Sequence, residues 1–282
     1  LVADTPYDVR VQAFDQHGNS SDPLRIDDLF RTNPNLPDLY VKDISFSPSS
    51  PKVGQPVTIT ATLSNNGKGS AARFLLSYFI NNTYLDQDDC KNGLSSGQSD
   101  NEDTSYTFNQ AGTYEVKVIV DPTNSIKEED DRESDNTRIE TISVSKYSTL
   151  FNSVQVSPST VDYGETITLH AKGLHPDGES GLGNMTVLFY IDGNYVDQAT
   201  TSGSLFSSGD ASITIPNAKL THGSHTLRAV FEGTSAYERC EKTTTFNTQG
   251  KIIRAWWDPS SVKEGSTVAL NAEVEGFPVG YQ

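Results

Sequence analysis

Cysteine is nearly absent from this chain. The 282 residues include two, Cys90 and Cys240, and so few exclude a small scaffold held together by several disulfides. The two do not form a Cys-x-x-Cys pair of the kind that binds zinc. A bridge between domains, a bridge to another chain and two free thiols all stay open. One cysteine in each predicted domain slightly favours free thiols.

Basic residues are scarce as well. Lys and Arg total 21 against 37 Asp and Glu, which gives a formal net charge of −16 and a pI of about 4.6. This balance argues against a nucleic-acid partner and against docking on anionic lipid. It favours solubility, cation binding or a salty habitat. The longest apolar runs, such as Phe74-Leu75-Leu76, are far too short to cross a bilayer, so no direct membrane insertion is expected.

The motifs of the common enzyme classes are missing too. The sequence has no HExxH pair, P-loop or dinucleotide-binding fingerprint. We therefore predict that this chain is not an enzyme, with no catalytic residues and no residues that bind an organic cofactor.

What the sequence does contain is a repeat. It reads SPSSPKVGQPVTITA at 47–61, SPSTVDYGETITLHA at 157–171 and DPSSVKEGSTVALNA at 258–272. The glycines of the repeat are Gly54, Gly164 and Gly265, spaced 110 (164 − 54) and 101 (265 − 164) residues apart. An Ig-type sandwich takes roughly 100 residues, so each period corresponds to one domain.

Each copy of the repeat predicts a turn followed by a half-buried strand. Pro and Ser form a corner, and the glycine allows the positive φ of the turn. In the strand that follows, one face is apolar and the other is mostly Thr, as an antiparallel sandwich requires. The three apolar faces are Val57, Ile59 and Ala61; Ile167, Leu169 and Ala171; and Val268, Leu270 and Ala272. We predict an all-β chain of tandem Ig-like antiparallel β-sandwiches.

The first segment, residues 1–29, resembles the C-terminal strands of a fibronectin type III domain. Tyr7 precedes the alternating Val9, Val11 and Ala13, and a Gly-Asn-Ser turn at 18–20 follows. The resemblance implies that Tyr7 is the corner tyrosine of that fold, with its hydroxyl bonded to nearby backbone. Residues 30–36, rich in Pro and Asn, are predicted to be a linker. Because the chain starts inside this pattern, we expect it to be a segment of a longer protein.

Residues 37–146 resemble a CARDB domain, an Ig-like module of bacterial and archaeal surface proteins. The resemblance is carried by Pro37-Asp38-Leu39, Asn65-Asn66-Gly67, Gly112-Thr113-Tyr114, Asp121-Pro122 and Asp135-Asn136. The Asn-Gly step favours a hairpin with a type I′ turn. The acidic loop, KEEDDRESDN, is longer than in typical members, and Asp135 replaces the first of two paired asparagines.

Residues 147–249 resemble the bacterial Ig-like domains repeated in large adhesins and surface-layer proteins. The segments that carry this resemblance are Phe189-Tyr190-Ile191-Asp192-Gly193 and the GSHTLRAVFEG run at 223–233. It implies that His225 is a structural turn residue rather than a metal ligand with His222, three positions before it. Residues 250–282 are predicted to begin a further Ig-like domain.

The acidic loop of the CARDB-like segment is a candidate Ca²⁺ site, the one cofactor considered. Calcium takes six to eight oxygen ligands, and the candidate ligands are Asp121, Glu129, Asp130, Asp131 and Asp135. No DxDxDG spacing is present, so a solvated charge run is the alternative interpretation.

Two further sets of residues are candidates for modification or binding. Asn19, Asn81 and Asn184 begin Asn-x-Ser/Thr sequons and could carry glycans if the parent chain is glycosylated. Trp256 and Trp257 form the candidate ligand platform; we expect one ring to pack inward and the other to face a neighbouring domain.

These features predict a structural or adhesive segment, a stalk or assembly unit, of a large prokaryotic extracellular surface protein, filament or surface layer. Its expected partners are neighbouring domains or copies of the same protein, together with cell-surface glycans. Two alternatives remain: a carbohydrate-binding accessory array of a secreted hydrolase, and a phage or virus decoration module. Fold analogy carries this functional prediction.

Overall fold

The structure is a computed structural model that describes residues 5–31, 35–128, 134–176, 180–203, 208–216, 218–258 and 260–279. Across these residues the chain forms 19 strands and no helix, so none of them forms a helix that could span a membrane. The strands are β1 Pro6–Val11, β2 Leu24–Arg31, β3 Leu39–Ser47, β4 Pro56–Asn65, β5 Phe74–Ile80, β6 Thr83–Cys90, β7 Ser99–Thr107, β8 Gly112–Val120, β9 Thr137–Val144, β10 Thr149–Ser157, β11 Thr160–Asp162, β12 Ile167–Pro176, β13 Thr186–Ile191, β14 Asn194–Thr200, β15 Ala211–Ile215, β16 Gly223–Phe231, β17 Cys240–Gln249, β18 Lys251–Asp258 and β19 Ala269–Glu275.

The chain divides into two compact units, residues 1–145 and 146–282. The first unit contains the β1–β2 hairpin and a sandwich made of β3 to β9. The second unit contains a sandwich made of β10 to β17 and the β18–β19 hairpin. The finer domain boundaries drawn from the sequence stay predictions.

The first sandwich has two sheets with the strand orders β3-β4-β7 and β6-β5-β8-β9. Its core is formed by alternate residues of each strand, because successive side chains point to opposite faces of a sheet. Val57, Ile59 and Ala61 are fully buried, as their alternation predicts. Tyr78 is also fully buried, and its hydroxyl donates to the carbonyl of Glu102 at 2.9 Å.

The second sandwich repeats this arrangement. Its sheets have the orders β10-β12-β15 and β11-β17-β16-β13-β14, and short β11 runs parallel to β17. In the first sandwich the corresponding parallel contact is a single bridge between Lys52 and Ser145. Ile167, Leu169 and Ala171 are fully buried. The predicted fold class, all-β with tandem Ig-like sandwiches, is confirmed.

The third copy of the repeat lies in the β18–β19 hairpin. There Leu270, which the alternation assigns to the inward face, is 62% exposed. Trp256 and Trp257 are 42% and 57% exposed, so the described residues bury neither ring, and the inward packing of one of them stays a prediction. The physical reason for the exposure is that β18 and β19 form a two-stranded sheet, which buries little apolar surface without a second layer.

The Asn-Gly hairpin was also predicted in the wrong place. Asn65 ends β4, which pairs with β3 and β7, whereas the next strand, β5, belongs to the other sheet. The two-residue hairpin turn is instead Asn81-Asn82 between β5 and β6, with φ values of 47° and 62°. A type I′ turn needs positive φ at both central residues, and asparagine tolerates this region nearly as well as glycine.

The glycines of the repeat all adopt the positive φ that the pattern predicts. Gly54, Gly164 and Gly265 have φ values of 81°, 80° and 82°. At Gly54 an added Cβ would meet no atom within 4 Å. The requirement for glycine there is therefore conformational and not steric.

We predict that Gly54→Ala lowers the free energy of unfolding of the first sandwich by about 1 kcal/mol, because alanine is strained in the left-handed region. Urea unfolding followed by tyrosine fluorescence measures the loss. Gly54→Asn is the matched control and should lose less, since asparagine tolerates this conformation. Equal losses for Ala and Asn would contradict the conformational explanation.

Candidate functional site

Four buried polar side chains gather at the end of the first sandwich where β3 begins. Asp38, Asn65, Glu128 and Asn136 are 6%, 0%, 2% and 3% exposed, and we call them the polar cap. They come from the residues before β3, the end of β4, the acidic loop and the residue before β9. A buried polar group is costly unless hydrogen-bonded, so their contacts explain how this end is held.

Asn65 is the centre of the polar cap. Its Oδ1 accepts hydrogen bonds from the backbone N–H groups of Asp38 and Gly67, both at 3.0 Å. Its Nδ2 donates to the carbonyls of Gly69 at 2.9 Å and Leu94 at 2.8 Å. The side-chain amide of Asn65 therefore joins the residue before β3 to two loops, the one between β4 and β5 and the one between β6 and β7.

The loop after Asn65 lies directly against the chain that leads into β3. A Cβ added to Gly67 would overlap the backbone of residues 36–38, and one added to Gly69 would overlap Asn35. The amide of Gly69 donates to the carbonyl of Leu36 at 2.8 Å. Glycine is thus required at both positions, because the two backbone segments approach closely. The sequence pattern around Gly67 had instead predicted a hairpin turn.

Glu128 connects the acidic loop to the same point. Its Oε1 accepts from the backbone N–H of Leu39 at 3.0 Å. Asn136 marks the other end of the loop, where its carbonyl accepts from Val120 N–H at 2.9 Å. The Glu128 side chain therefore ties the first end of the acidic loop to β3, and a backbone bond ties the second end to β8.

The candidate calcium ligands are only partly placed. Asp121 is 3% exposed, and its two oxygens accept from the Ser125 hydroxyl and the Ile126 amide, both at 2.7 Å. Asp135 is exposed. Glu129, Asp130 and Asp131 lie outside the described residues. The described part of the chain contains no group of three or more His, Cys, Asp or Glu side chains arranged for a metal, and calcium binding stays a prediction.

A second concentration of carboxylates lines one lateral edge of the first sandwich. β6 and β7 are edge strands of the two sheets. They carry Asp86, Asp88, Asp89, Asp100, Glu102 and Asp103. Burial raises the pKa of Glu102, and the neighbouring Asp88 raises it further. Charges on an edge strand disfavour pairing with a strand of another molecule.

Neither cysteine is bridged within this chain, and a free thiol at each position stays a prediction. Cys90 is buried beside the carboxylate edge, where burial raises its pKa to about 12. Burial also raises the pKa of Cys240. A thiol reacts as its thiolate, so neither side chain is primed as a nucleophile at neutral pH.

His225 is placed for a structural role and not for chelation with His222. It is 7% exposed, and its Nδ1 lies 2.6 Å from Asp192 Oδ2. Its Nε2 lies 2.7 Å from the carbonyl oxygen of Thr221. Burial lowers the pKa of His225, but the bonds to Asp192 and Thr221 outweigh that and hold the pKa above its usual range.

The three sequons differ in their geometry. Asn81 is exposed at the tip of the β5–β6 hairpin, and its Oδ1 accepts from Glu115 N–H at 2.9 Å. Asn184 is exposed before β13, with its side chain against Gly203. Asn19 is exposed too, but its Nδ2 donates to Asp15 Oδ2 at 2.8 Å.

The two tryptophans do not form one platform. Trp256 and Trp257 are consecutive residues of β18, so their rings project from opposite faces of the hairpin. The guanidinium of Arg254 lies 4.8 Å from the centre of the Trp256 ring.

An aromatic pair with a cation recurs on both sandwiches and was missed in the sequence. Across the first hairpin, the rings of Phe79 and Tyr84 are 5.9 Å apart, with Lys117 Nζ 4.7 Å from the Phe79 ring centre. In the second, Tyr190 and Tyr195 are 5.8 Å apart, with Arg228 4.4 Å from the Tyr190 ring centre. The sequence did contain a signal for these pairs, because in each hairpin the two aromatic residues lie symmetrically about a two-residue turn. Cross-strand pairs of this kind stabilise hairpins.

The second sandwich also has an apolar groove of about 330 Å³. It lies between β14 and β15 and is lined by Ile167, Ile191, Asp192, Asn194, Val196, Ile215, Ala218, Lys219 and Leu220. Its apolar walls include the core residues Ile167 and Ile191, so the groove is part of the open lateral edge of the sandwich.

The sheets and core define this chain as a tandem Ig-like β-sandwich protein. Within it, residues 36–140 match the model of the CARDB family, so this part of the chain is a CARDB domain, as the sequence motifs indicated. No curated protein matches the chain significantly.

Several solved structures are similar to parts of this chain. The CARDB domain of a Pyrococcus furiosus protein, crystallised in complex with di-metal ions, is 22% identical and has a TM-score of 0.36; the match covers 40% of this chain and 98% of that one. A domain of a Methanosarcina acetivorans protein, provisionally named a cell surface protein, is 28% identical with a TM-score of 0.32, covering 39% and 92%. The D1–D4 ectodomain fragment of ICAM-5 is 12% identical with a TM-score of 0.40, covering 89% and 64%.

We predict that Asn65→Ala lowers the free energy of unfolding of the first sandwich by about 2–4 kcal/mol. The change leaves two amides and two carbonyls without their side-chain partner, and an unsatisfied buried group typically costs about 1–3 kcal/mol. Asn66→Ala is the matched control, because Asn66 is exposed. Chemical denaturation compares the two, and similar losses would contradict the central role of Asn65.

We also predict that Glu102→Gln stabilises the first sandwich at pH 7. The folded pKa of Glu102 is raised, so folding is penalised when this group is ionised; the penalty is absent below the unfolded pKa and grows as pH rises through the folded pKa. Thermal unfolding should show a higher Tm for the variant at pH 7 and no difference near pH 4. Asp103→Asn, on the exposed face of β7, should change Tm little, and a Glu102→Gln variant that is less stable at pH 7 would contradict the prediction.

Proposed function

We propose that this chain is a non-catalytic structural segment, a stalk or assembly unit, of a prokaryotic extracellular surface protein. The observation that carries the proposal is the succession of two Ig-like sandwiches, each with its own buried core and the same arrangement of strands. Domains built in this way fold as separate units and act as spacers when linked in series.

The distribution of charge supports the proposal. The chain has a net charge of −16, and six carboxylates line the two adjacent edge strands β6 and β7. Because exposed edge strands invite pairing between molecules, this arrangement keeps neighbouring copies from aggregating laterally. A segment with these properties suits a crowded surface where many copies lie side by side.

The flanking segments fit the same assembly of modules. We propose that residues 1–29 belong to a fibronectin type III-like domain, residues 147–249 form a bacterial Ig-like domain and residues 250–282 belong to a further Ig-like domain. The β1–β2 and β18–β19 hairpins support this assignment. Their partners would be neighbouring domains or further copies of the same protein.

We propose Asn81 as the favoured glycan acceptor among the three sequons. It stands at an exposed hairpin tip with its Oδ1 bonded, so its Nδ2 faces away from that contact. The Nδ2 of Asn19 already donates to Asp15. A glycan at Asn81 would extend from the tip without covering the carboxylate edge of β6 and β7.

Stretching single molecules tests the proposal. When the chain is pulled from its two ends by atomic force microscopy, we expect two separate unfolding events, each releasing about 35 nm of chain, because each sandwich holds roughly 100 residues of about 3.5 Å. Gly54→Ala should lower the force of one event and leave the other unchanged. A single event of about twice that length would contradict independent sandwiches and with them the stalk.

A further inference from the structure

The protonation state of the His225 imidazole determines how many hydrogen bonds its ring can donate. Its ring lies between the carboxylate of Asp192, at 2.6 Å from Nδ1, and the carbonyl of Thr221, at 2.7 Å from Nε2. Both oxygens can only accept hydrogen bonds. A neutral imidazole has one N–H and can serve one of them, whereas the imidazolium serves both.

The remaining groups around the ring do not replace the missing proton. The Thr248 hydroxyl lies 3.1 Å from Nε2, but it is also bonded to the carbonyl of Thr221. If it turned its hydrogen to a neutral Nε2, the Thr221 carbonyl would lose both of its side-chain donors. The Phe246 ring, 5.6 Å away, is uncharged. Among the described contacts of the ring, Asp192 is the charged group.

The loop that His225 holds is also the loop that contacts the β18–β19 segment. Thr221 precedes His222, whose backbone N–H donates to the carbonyl of Gly276. The His222 ring stacks against Phe277, with ring centres 5.2 Å apart and planes 32° apart. Gly276 in turn packs against the ring of Tyr163.

We propose that a proton on His225 fixes the loop at residues 221–223 in the position that binds the β18–β19 segment, so that this junction is firm in mild acid and loosens as the pH rises. Loss of the proton leaves a lone pair of Nε2 facing the Thr221 carbonyl, which frees the loop to move. The device acts between the second sandwich and the segment after it, and it goes beyond a passive spacer.

The direction of the effect follows from linkage. The two bonds hold the folded pKa of His225 above the ordinary value of 6.5. A raised histidine pKa gives a stabilisation that is complete below the unfolded pKa and is lost as pH rises through the folded pKa. The junction therefore loosens above about pH 6.5 and not below it.

Amide hydrogen exchange of the full chain tests the proposal, because the N–H of His222 is itself the donor to Gly276. We expect the protection factor of this amide to fall roughly three- to tenfold between pH 5.5 and pH 8.5, as for the loss of one hydrogen bond. The imidazole ¹⁵N shifts of His225 should report the doubly protonated ring at pH 5.5. They should also titrate with the same midpoint as the change in protection.

Two variants and one control separate a proton effect from a general loss of structure. Asp192→Asn removes the carboxylate but keeps an oxygen for Thr226 N–H, so the midpoint should move to lower pH. His225→Gln should abolish the pH dependence of protection at His222. His170→Gln, on β12, should leave it unchanged.

A ring of His225 that is neutral at pH 5.5 would overturn the proposal. So would a His222 protection factor with the same pH dependence in wild type and His225→Gln. If His225→Gln does not fold, the wild-type titration and the Asp192→Asn midpoint decide between the outcomes.

Discussion

The organisation of both sandwiches depends on one constraint: a polar side chain buried at a sandwich end must satisfy every hydrogen-bonding group it presents. In the first sandwich Asn65 meets it with two accepted and two donated bonds. In the second, His225 meets it with Asp192 and Thr221. Because each side chain gathers loops that are distant in sequence, the ends of these small cores are held without disulfides. The apolar core sets the fold, and these residues determine which loops meet.

The hydrogen bonds of Asn65 and of His225 differ in how they depend on pH. An amide carries its donors and acceptors at every ordinary pH, so Asn65 is a permanent connection. An imidazole gains its second donor only with a proton, so His225 is a conditional one. The permanent residue bonds to Asp38 where the chain enters the CARDB domain, and Glu128 of the acidic loop bonds to the next residue, Leu39. The conditional residue lies where the second sandwich meets the next segment.

The sequence was sufficient for the periodic features. The glycine repeat and the alternation around Ile59 and Leu169 identify strand, turn and buried face, because these are local properties of three to fifteen residues. The polar cap could not be predicted in this way. Asn65 read as a hairpin signal, since the Asn-Gly step favours one locally, and the partners that overrule this preference lie up to 29 residues away. The aromatic pair beside Lys117 was visible as spacing around a turn, but the cation comes from a third strand.

The burial of a periodic strand depends on the sheet that faces it. The alternation that buries Leu169 is repeated at Leu270, yet the latter is 62% exposed, because a periodic strand is buried only if a second sheet covers it. The position of a strand within its sheet also affects how its charged residues are interpreted. The carboxylates on β6 and β7 resemble a binding cluster in sequence, but they lie on two edge strands, where like charge discourages pairing between molecules. A row of acidic residues on an Ig-like edge is thus first a barrier to pairing between edge strands.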